Sequence, residues 1–252
     1  MLRFLQLVVD LCVVSFLGVG GQNEIHFYNI RGLRSFEKKK EIQKIVKFHR
    51  PWILCVQETK LETINDFLCA LLWGNQNYGF SYRPFVGASG GILTLSDTAE
   101  VDIKITRSMP HVFIIQGKMV KNGAEFSLAN DYAPCDPLRR QDVWTQLGTI
   151  IRNFRETSWC VCGDFNAIRS QPERKSRVVC TIVEYYSHFN QFIDSNILFF
   201  LSLYGKFFTW FRRGGVSMSR LDRFLLSEDW YALWPNMMQH ALNRGILIIV
   251  PF

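Results

Sequence analysis

SWCVCGDFNAI, residues 158–168, reads as a buried strand that ends by presenting an acid and an amide. Trp159 to Cys162 form an apolar run, as expected of a strand covered on both faces. Asp164 and Asn166 follow, one on either side of Phe165. Taken alone, Asp164 is explained by a helix N-cap or an Asx-turn. The pair gains meaning only if other strands of the chain end in the same way.

Several do. EIHFYNIRG carries Asn29 just before its end at Gly32, and WILCVQETK ends in Glu58 and Lys60. AEFSLANDYAP delivers Tyr132, and SRLDRFLLS opens with Asp222. Each residue has an ordinary explanation by itself: a turn for Asn29, a surface acid for Glu58, packing before Ala133-Pro134 for Tyr132, a surface ion pair with Arg220 or Arg223 for Asp222. Together they read differently, because carboxylates are costly to desolvate and several at one rim of a sheet imply a shared cation or a reacting group.

The segments between these strands set the architecture. A helix with Ile42, Ile45 and Val46 on its apolar face and Lys38, Lys39, Lys40, Lys44 and Lys47 on its wet face joins the first two strands, and Pro51 ends it, giving a βαβ unit. GGILTLSD, VDIKITRS, HVFIIQGKMV and AEFSLANDYAP read as a meander, with Asn122-Gly123 turning between the last two. Helices bearing Val143, Leu147, Ile150 and Ile151, and then Phe189, Phe192 and Ile193, flank residues 158–168, and Gly214-Gly215 predicts a hairpin turn. The expected fold is one mixed α/β domain with two sheets and outer helices.

Composition narrows the partners. With 48% hydrophobic and 20% charged residues, the chain of 252 can bury a core and lacks the composition of a disordered protein. A formal net charge of +7 favours a polyanionic partner. The seven cysteines are odd in number and contain no CxxC pair, so they read as core thiols in a reducing compartment, not as a disulfide framework or a zinc site. Residues 1–23 read as an apolar leader outside the fold; Asp10 interrupts the run a secretory signal would need, which favours nucleus or cytoplasm over secretion. No later segment has the ~20 uninterrupted apolar residues of a membrane span.

In order and spacing, NIRG, QETK, SGG, YAP, GDFN and FTW followed by SRLD resemble the endonuclease/exonuclease/phosphatase superfamily over residues 25–227. LWGNQNYGFSYRPFVGASGG, YAPCDP and MSRLDRFLLSEDW resemble the endonuclease domain of plant LINE-type retrotransposons. The resemblance implies a DNase I-like four-layer sandwich over residues 24–252, with two mixed sheets face to face and helices outside. It implies Mg²⁺, with Mn²⁺ as a substitute, held weakly by Glu58 with Asn29 helping. Asp164 would orient or deprotonate the attacking water, Asn166 and Tyr132 would contact the phosphate, and Gly90 with Gly91 would let backbone pass closely. Arg212 and Arg213 beside Trp210 would meet a DNA backbone, without base specificity and with no obligate protein partner.

The end of the chain departs from this pattern. Family members close with a strand resembling RGLSDHCPL, whereas residues 244–252 read RGILIIVPF, placing Ile248 and Ile249 where an aspartate and a histidine are expected. Asp222, whose implied role is to orient that histidine, loses its partner, and His240 reads as a half-buried strand residue. The expectation is therefore an endonuclease domain with impaired or lost catalysis. The alternatives are a non-catalytic nucleic-acid-binding remnant and a lipid or nucleotide phosphoesterase of the same superfamily.

Overall fold

The computed structural model describes residues 11–18, 21–86, 90–176, 184–212 and 217–242. Its first large sheet has seven strands. They are β1 (Leu11–Gly18), β2 (Gly21–Asn29), β3 (Ile53–Gln57), β4 (Tyr78–Arg83), β5 (Ile92–Asp97), and, from much later in the chain, β12 (Leu203–Tyr204) and β16 (Met237–Leu242), in the order β12-β16-β1-β2-β3-β5-β4. The second has six: β6 (Val101–Met109), β7 (Val112–Met119), β8 (Glu125–Tyr132), β9 (Ser158–Asp164), β11 (Leu198–Phe200) and β15 (Asp222–Ser227), in the order β11-β15-β9-β8-β7-β6. A small third sheet joins β10 (Arg174–Lys175), β13 (Trp210–Phe211) and β14 (Met218–Ser219).

The two large sheets pack face to face, and alternation along each strand decides which residues meet between them. Ile25 and Phe27 of β2, Ile53 and Cys55 of β3, Phe126 and Leu128 of β8, Cys160 and Cys162 of β9, and Phe224 and Leu226 of β15 share this central core. The opposite face of the seven-stranded sheet is covered by α1 (Phe36–His49) and α2 (Asp66–Trp73), through Ile42, Ile45, Val46, Cys69 and Leu72. The outer face of the six-stranded sheet is covered by α3 (Pro137–Asn153) and α4 (Glu184–Ser195), through Val143, Leu147, Ile151, Phe189, Phe192 and Ile193. The result is the four-layer α/β sandwich expected, completed by the short α5 (Glu228–Leu233), whose Trp230 enters the central core. Among the described residues no helix is long and apolar enough to cross a membrane.

Three expectations need correction. The leader does not lie wholly outside the fold: β1 pairs antiparallel with β2 on one side and β16 on the other. Its apolar character has a simple cause at Cys12 and Val13, since Cys12 is buried in the central core while Val13 is buried on the opposite face with the residues of α1. The four-strand meander is also divided: β5 pairs with β3 and β4 in one sheet, and the antiparallel run is β6, β7 and β8 in the other. Lastly, the lysine face of α1 is only partly wet. Lys40, Lys44 and Lys47 are exposed, but Lys38 and Lys39 are half-buried, and the Lys38 ammonium bonds Glu41 at 2.9 Å.

Candidate active site

The alternation that builds the central core also builds the candidate site. Continuing each inward-facing row by one step leads from Phe27 to Asn29, from Cys55 to Gln57, from Leu128 through Asn130 to Tyr132, from Cys162 to Asp164, and from Phe224 back to Asp222. Tyr132 pairs with Asp164 across parallel strands, and Asp164 with Asp222 across antiparallel ones. Polar side chains thus replace apolar ones at one end of the sandwich in both sheets.

Glu58 breaks the alternation. Its φ of 52° lies in the left-handed region, which turns the residue after β3 back toward the row it would otherwise leave. There its Oε1 accepts a 2.9 Å hydrogen bond from the Asn29 amide, and its negative charge lies near the Tyr132 hydroxyl. The Lys60 ammonium stands 3.8 Å from Oε2. Burial, followed by the negative charge of Glu58, pushes the Tyr132 phenol well above its ordinary range. Tyr132 therefore stays protonated as a donor at any physiological pH.

Asp164 realises the Asx-turn reading as well as the rim position, since its Oδ1 accepts from the backbone N–H of Asn166 at 2.9 Å. Asn166 has φ 48°, and its side-chain amide donates to the Ala133 carbonyl at 2.8 Å, tying the GDFN loop to the YAP loop. Asp222 is not a surface ion pair. It is buried at 5% exposure, and its backbone N–H donates to Thr209 Oγ1 at 3.0 Å. The guanidinium of Arg223 turns to the other side of the sheet, where it binds Glu173 in a fork. Gly91 meets its expectation: a Cβ there would come within 2.3 Å of Thr59 Oγ1, and its carbonyl accepts from the Thr59 N–H. Arg212 is exposed at the end of β13, while Arg213, the Gly214-Gly215 turn, Ile248 and Ile249 lie outside the described residues.

Two site residues went unassigned at the sequence level. Gln57, fully buried, donates from Nε2 to Asn130 Oδ1 at 2.7 Å and to the Asp131 carbonyl at 2.8 Å, stitching the two sheets together beneath the rim. Its place next to Glu58 in QETK was the available signal. Asp131 faces away from the rim, fully buried against α3, where it accepts from the Trp144 indole at 3.3 Å. Burial raises its pKa to about 8, with the nearby charge of Asp164 adding to the effect and the Trp144 bond opposing it.

The donor set has room for a hard cation. Asn29 spends its Nδ2 on Glu58, leaving Oδ1 buried without a protein partner beside a carboxylate, and oxygen donors of this kind suit Mg²⁺ or Mn²⁺. Two features weaken such a site: it holds one carboxylate, and the Lys60 ammonium competes for it.

Two face-packed mixed sheets with polar strand ends converging at one rim define a DNase I-like sandwich. The chain belongs to the Endonuclease/Exonuclease/phosphatase family, whose model matches residues 27–238. Members of that family generally depend on a divalent metal. Solved structures show the same fold. An AP endonuclease from Leishmania major superposes with a TM-score of 0.62 at 16% identity, covering 81% of this chain and 78% of that one. The 3′ phosphatase NExo from Neisseria, bound to a product DNA hairpin, gives 0.63 at 16% identity, with 82% and 88% covered. The endonuclease domain of TRAS1, a telomere-specific non-LTR retrotransposon, gives 0.61 at 16% identity, with 83% and 87% covered. No match was found among curated protein sequences.

Proposed function

We propose that the chain is a retrotransposon-type endonuclease domain that binds DNA through its backbone and hydrolyses phosphodiester bonds poorly or not at all. The observation that carries this reading is the rim itself, where inward-facing rows from both sheets end in Asn29, Tyr132, Asp164 and Asp222, and Glu58 bonds Asn29 and lies near Tyr132. The likeness to the TRAS1 endonuclease domain supports the retrotransposon assignment, as does the order of NIRG, QETK, YAP and GDFN.

Glu58 and Asn29 Oδ1 would hold Mg²⁺, or Mn²⁺ in its place, which when bound supplies Lewis-acid polarisation of the phosphate. Asp164 would orient the attacking water and take its proton. Tyr132, kept protonated, would donate to a phosphate oxygen, and Asn166 would do the same on releasing the Ala133 carbonyl. Asp222 would orient a histidine, but the sequence offers Ile249 at that position and Ile248 in place of the aspartate. Positioned groups of this kind contribute on the order of 10²–10⁴ in rate each, so their loss accounts for impaired catalysis.

One observation favours retained binding without chemistry. Arg31, Arg34, Lys38 and Lys60 line a concavity with Phe85 beside the Glu58 loop, a basic surface with an aromatic wall suited to a sugar-phosphate backbone. A plasmid-nicking assay in Mg²⁺ combined with salt-dependent DNA binding tests both halves. The expected outcome is binding that weakens steeply with salt and nicking below detection. Efficient nicking abolished by Asp164→Ala would refute the loss of catalysis, and the absence of salt-dependent binding would refute the DNA assignment.

A further inference from the structure

A second cluster lies on the far side of the seven-stranded sheet, under α1. Glu24 and His26 sit two apart on β2 and so share its outer face, while His49 is the last residue of α1. The His26 Nε2 lies 2.6 Å and the His49 Nδ1 3.1 Å from one and the same atom, Glu24 Oε2. One ligand atom from each of the three residues falls within 4.8 Å of the others. Glu24 and His26 are buried, with His26 fully enclosed, and the His49 side chain is 18% exposed.

We propose that Glu24, His26 and His49 form a binding site for a borderline divalent transition metal, with Zn²⁺ the best match. Two imidazoles and one carboxylate make a ligand set characteristic of zinc and poor for Mg²⁺, and the half-open side at His49 leaves a fourth position for water. Bonds of about 2.0–2.1 Å in a tetrahedral arrangement place ligand atoms roughly 3.3–3.5 Å apart. The observed approaches of 2.6 and 3.1 Å to Glu24 Oε2 are shorter than that spacing, by up to about 0.9 Å for His26, so the side chains must rotate apart to admit the ion.

The backbone holds the three groups in place without a metal. Arg50, in the left-handed region at φ 48°, ends α1 directly after His49, and the Trp52 N–H donates to the Glu24 carbonyl at 2.9 Å. The rings of His26 and His49 meet edge to face at 4.8 Å, both turned toward the carboxylate. The His26 Nδ1 is buried with no protein partner, a cost the cluster carries in any case. Five residues of extended strand separate Glu24 from Asn29, about 16 Å, and the two face opposite sides of the sheet, so this site is independent of the rim.

The test uses the full chain, stripped with chelator and titrated with Zn²⁺ by calorimetry and with Co²⁺ by visible absorption, with Mg²⁺ present in excess. The expected result is one ion per chain, Co²⁺ bands of low-coordinate nitrogen and oxygen ligation, and no thiolate-to-metal charge transfer. His49→Ala should weaken binding on the order of 100-fold or more, because loss of a ligand exceeds the 10–100-fold typical of a supporting group. His49→Cys, which restores a ligand at the same place, should recover tight Zn²⁺ binding, and Glu58→Gln should leave it unchanged. Absence of Zn²⁺ uptake by the wild type overturns the proposal without recourse to any variant. Undiminished affinity in a folded His49→Ala protein overturns it equally, as does thiolate charge transfer in the wild type.

Discussion

Replacing Asp131 by asparagine isolates the most unusual carboxyl group beside the rim. Asp131 is fully buried between β8 and α3, and its pKa rises from 3.8 to about 8 through burial, with Asp164 adding to the rise. Between about pH 4 and 8 the folded chain therefore holds a proton that the unfolded chain has released. The sign follows: the contribution is fully present below 3.8 and is lost as pH climbs through about 8, at up to about 1.4 kcal/mol per pH unit. Across the window the loss is capped at about 6 kcal/mol, an upper bound because some water would reach the ionised group. Asparagine does not titrate, preserves nearly the same shape and keeps an oxygen for the Trp144 indole. Urea denaturation of both proteins at intervals from pH 5 to 9 should show the stability of Asp131→Asn gaining steadily on the wild type as pH rises, then levelling off above about 8. Parallel curves for the two proteins across the range would show that Asp131 is ionised in the folded state and would refute the reasoning.

Two further outcomes follow from close contacts on the same sheet. Gly163→Ala should destabilise by at least about 2 kcal/mol, because φ at this position is 148° and a Cβ would stand 1.9 Å from the Asp131 carbonyl oxygen; an unchanged thermal midpoint would show that β8 and β9 do not approach as described. Glu173→Ala should cost about 3–5 kcal/mol in urea denaturation, since it strands the fully buried Arg223 guanidinium, and a loss below about 1 kcal/mol would mean that Arg223 finds another anion.

The parts of the fold that could be read in the sequence were those with an unambiguous period. Ile42, Ile45 and Val46 fixed one face of α1, Phe189, Phe192 and Ile193 fixed one face of α4, and Asn122-Gly123 marked the β7–β8 turn. Leu11–Gly18 was misread because a largely apolar run, with Cys12 and Val13 buried on opposite faces, carries no alternation to distinguish strand from leader. Helix α2 was missed for a related reason: its eight residues, DFLCALLW, are nearly all apolar, and its start depends on the Asn65 side chain accepting from the Leu68 N–H. At the site, Asn29, Tyr132 and Asp164 were legible because each is a polar residue standing where an apolar strand run gives way to a loop. Asp131 was not, since nothing local to NDYAP says that one acid lies under Trp144, and for Gln57 its place next to Glu58 in QETK hinted at a site but not at an amide bridging two sheets.

The placement of β1 between β2 and β16 also governs the order in which the molecule can assemble. Pairing Leu11 with Leu242 joins segments from opposite ends of the described chain, whereas β2, β3 and α1 are near neighbours in sequence. Closure entropy grows only logarithmically with the span, so the long connection is thermodynamically tolerable, but contacts of such separation form late. Until they form, β1 is an edge, with the backbone groups that β16 will later occupy open to another chain. The hairpin partner of the strand that carries Asn29 is thus among the last in its sheet to be enclosed, and the interval before its enclosure is when the protein is most exposed to pairing with a second copy of itself.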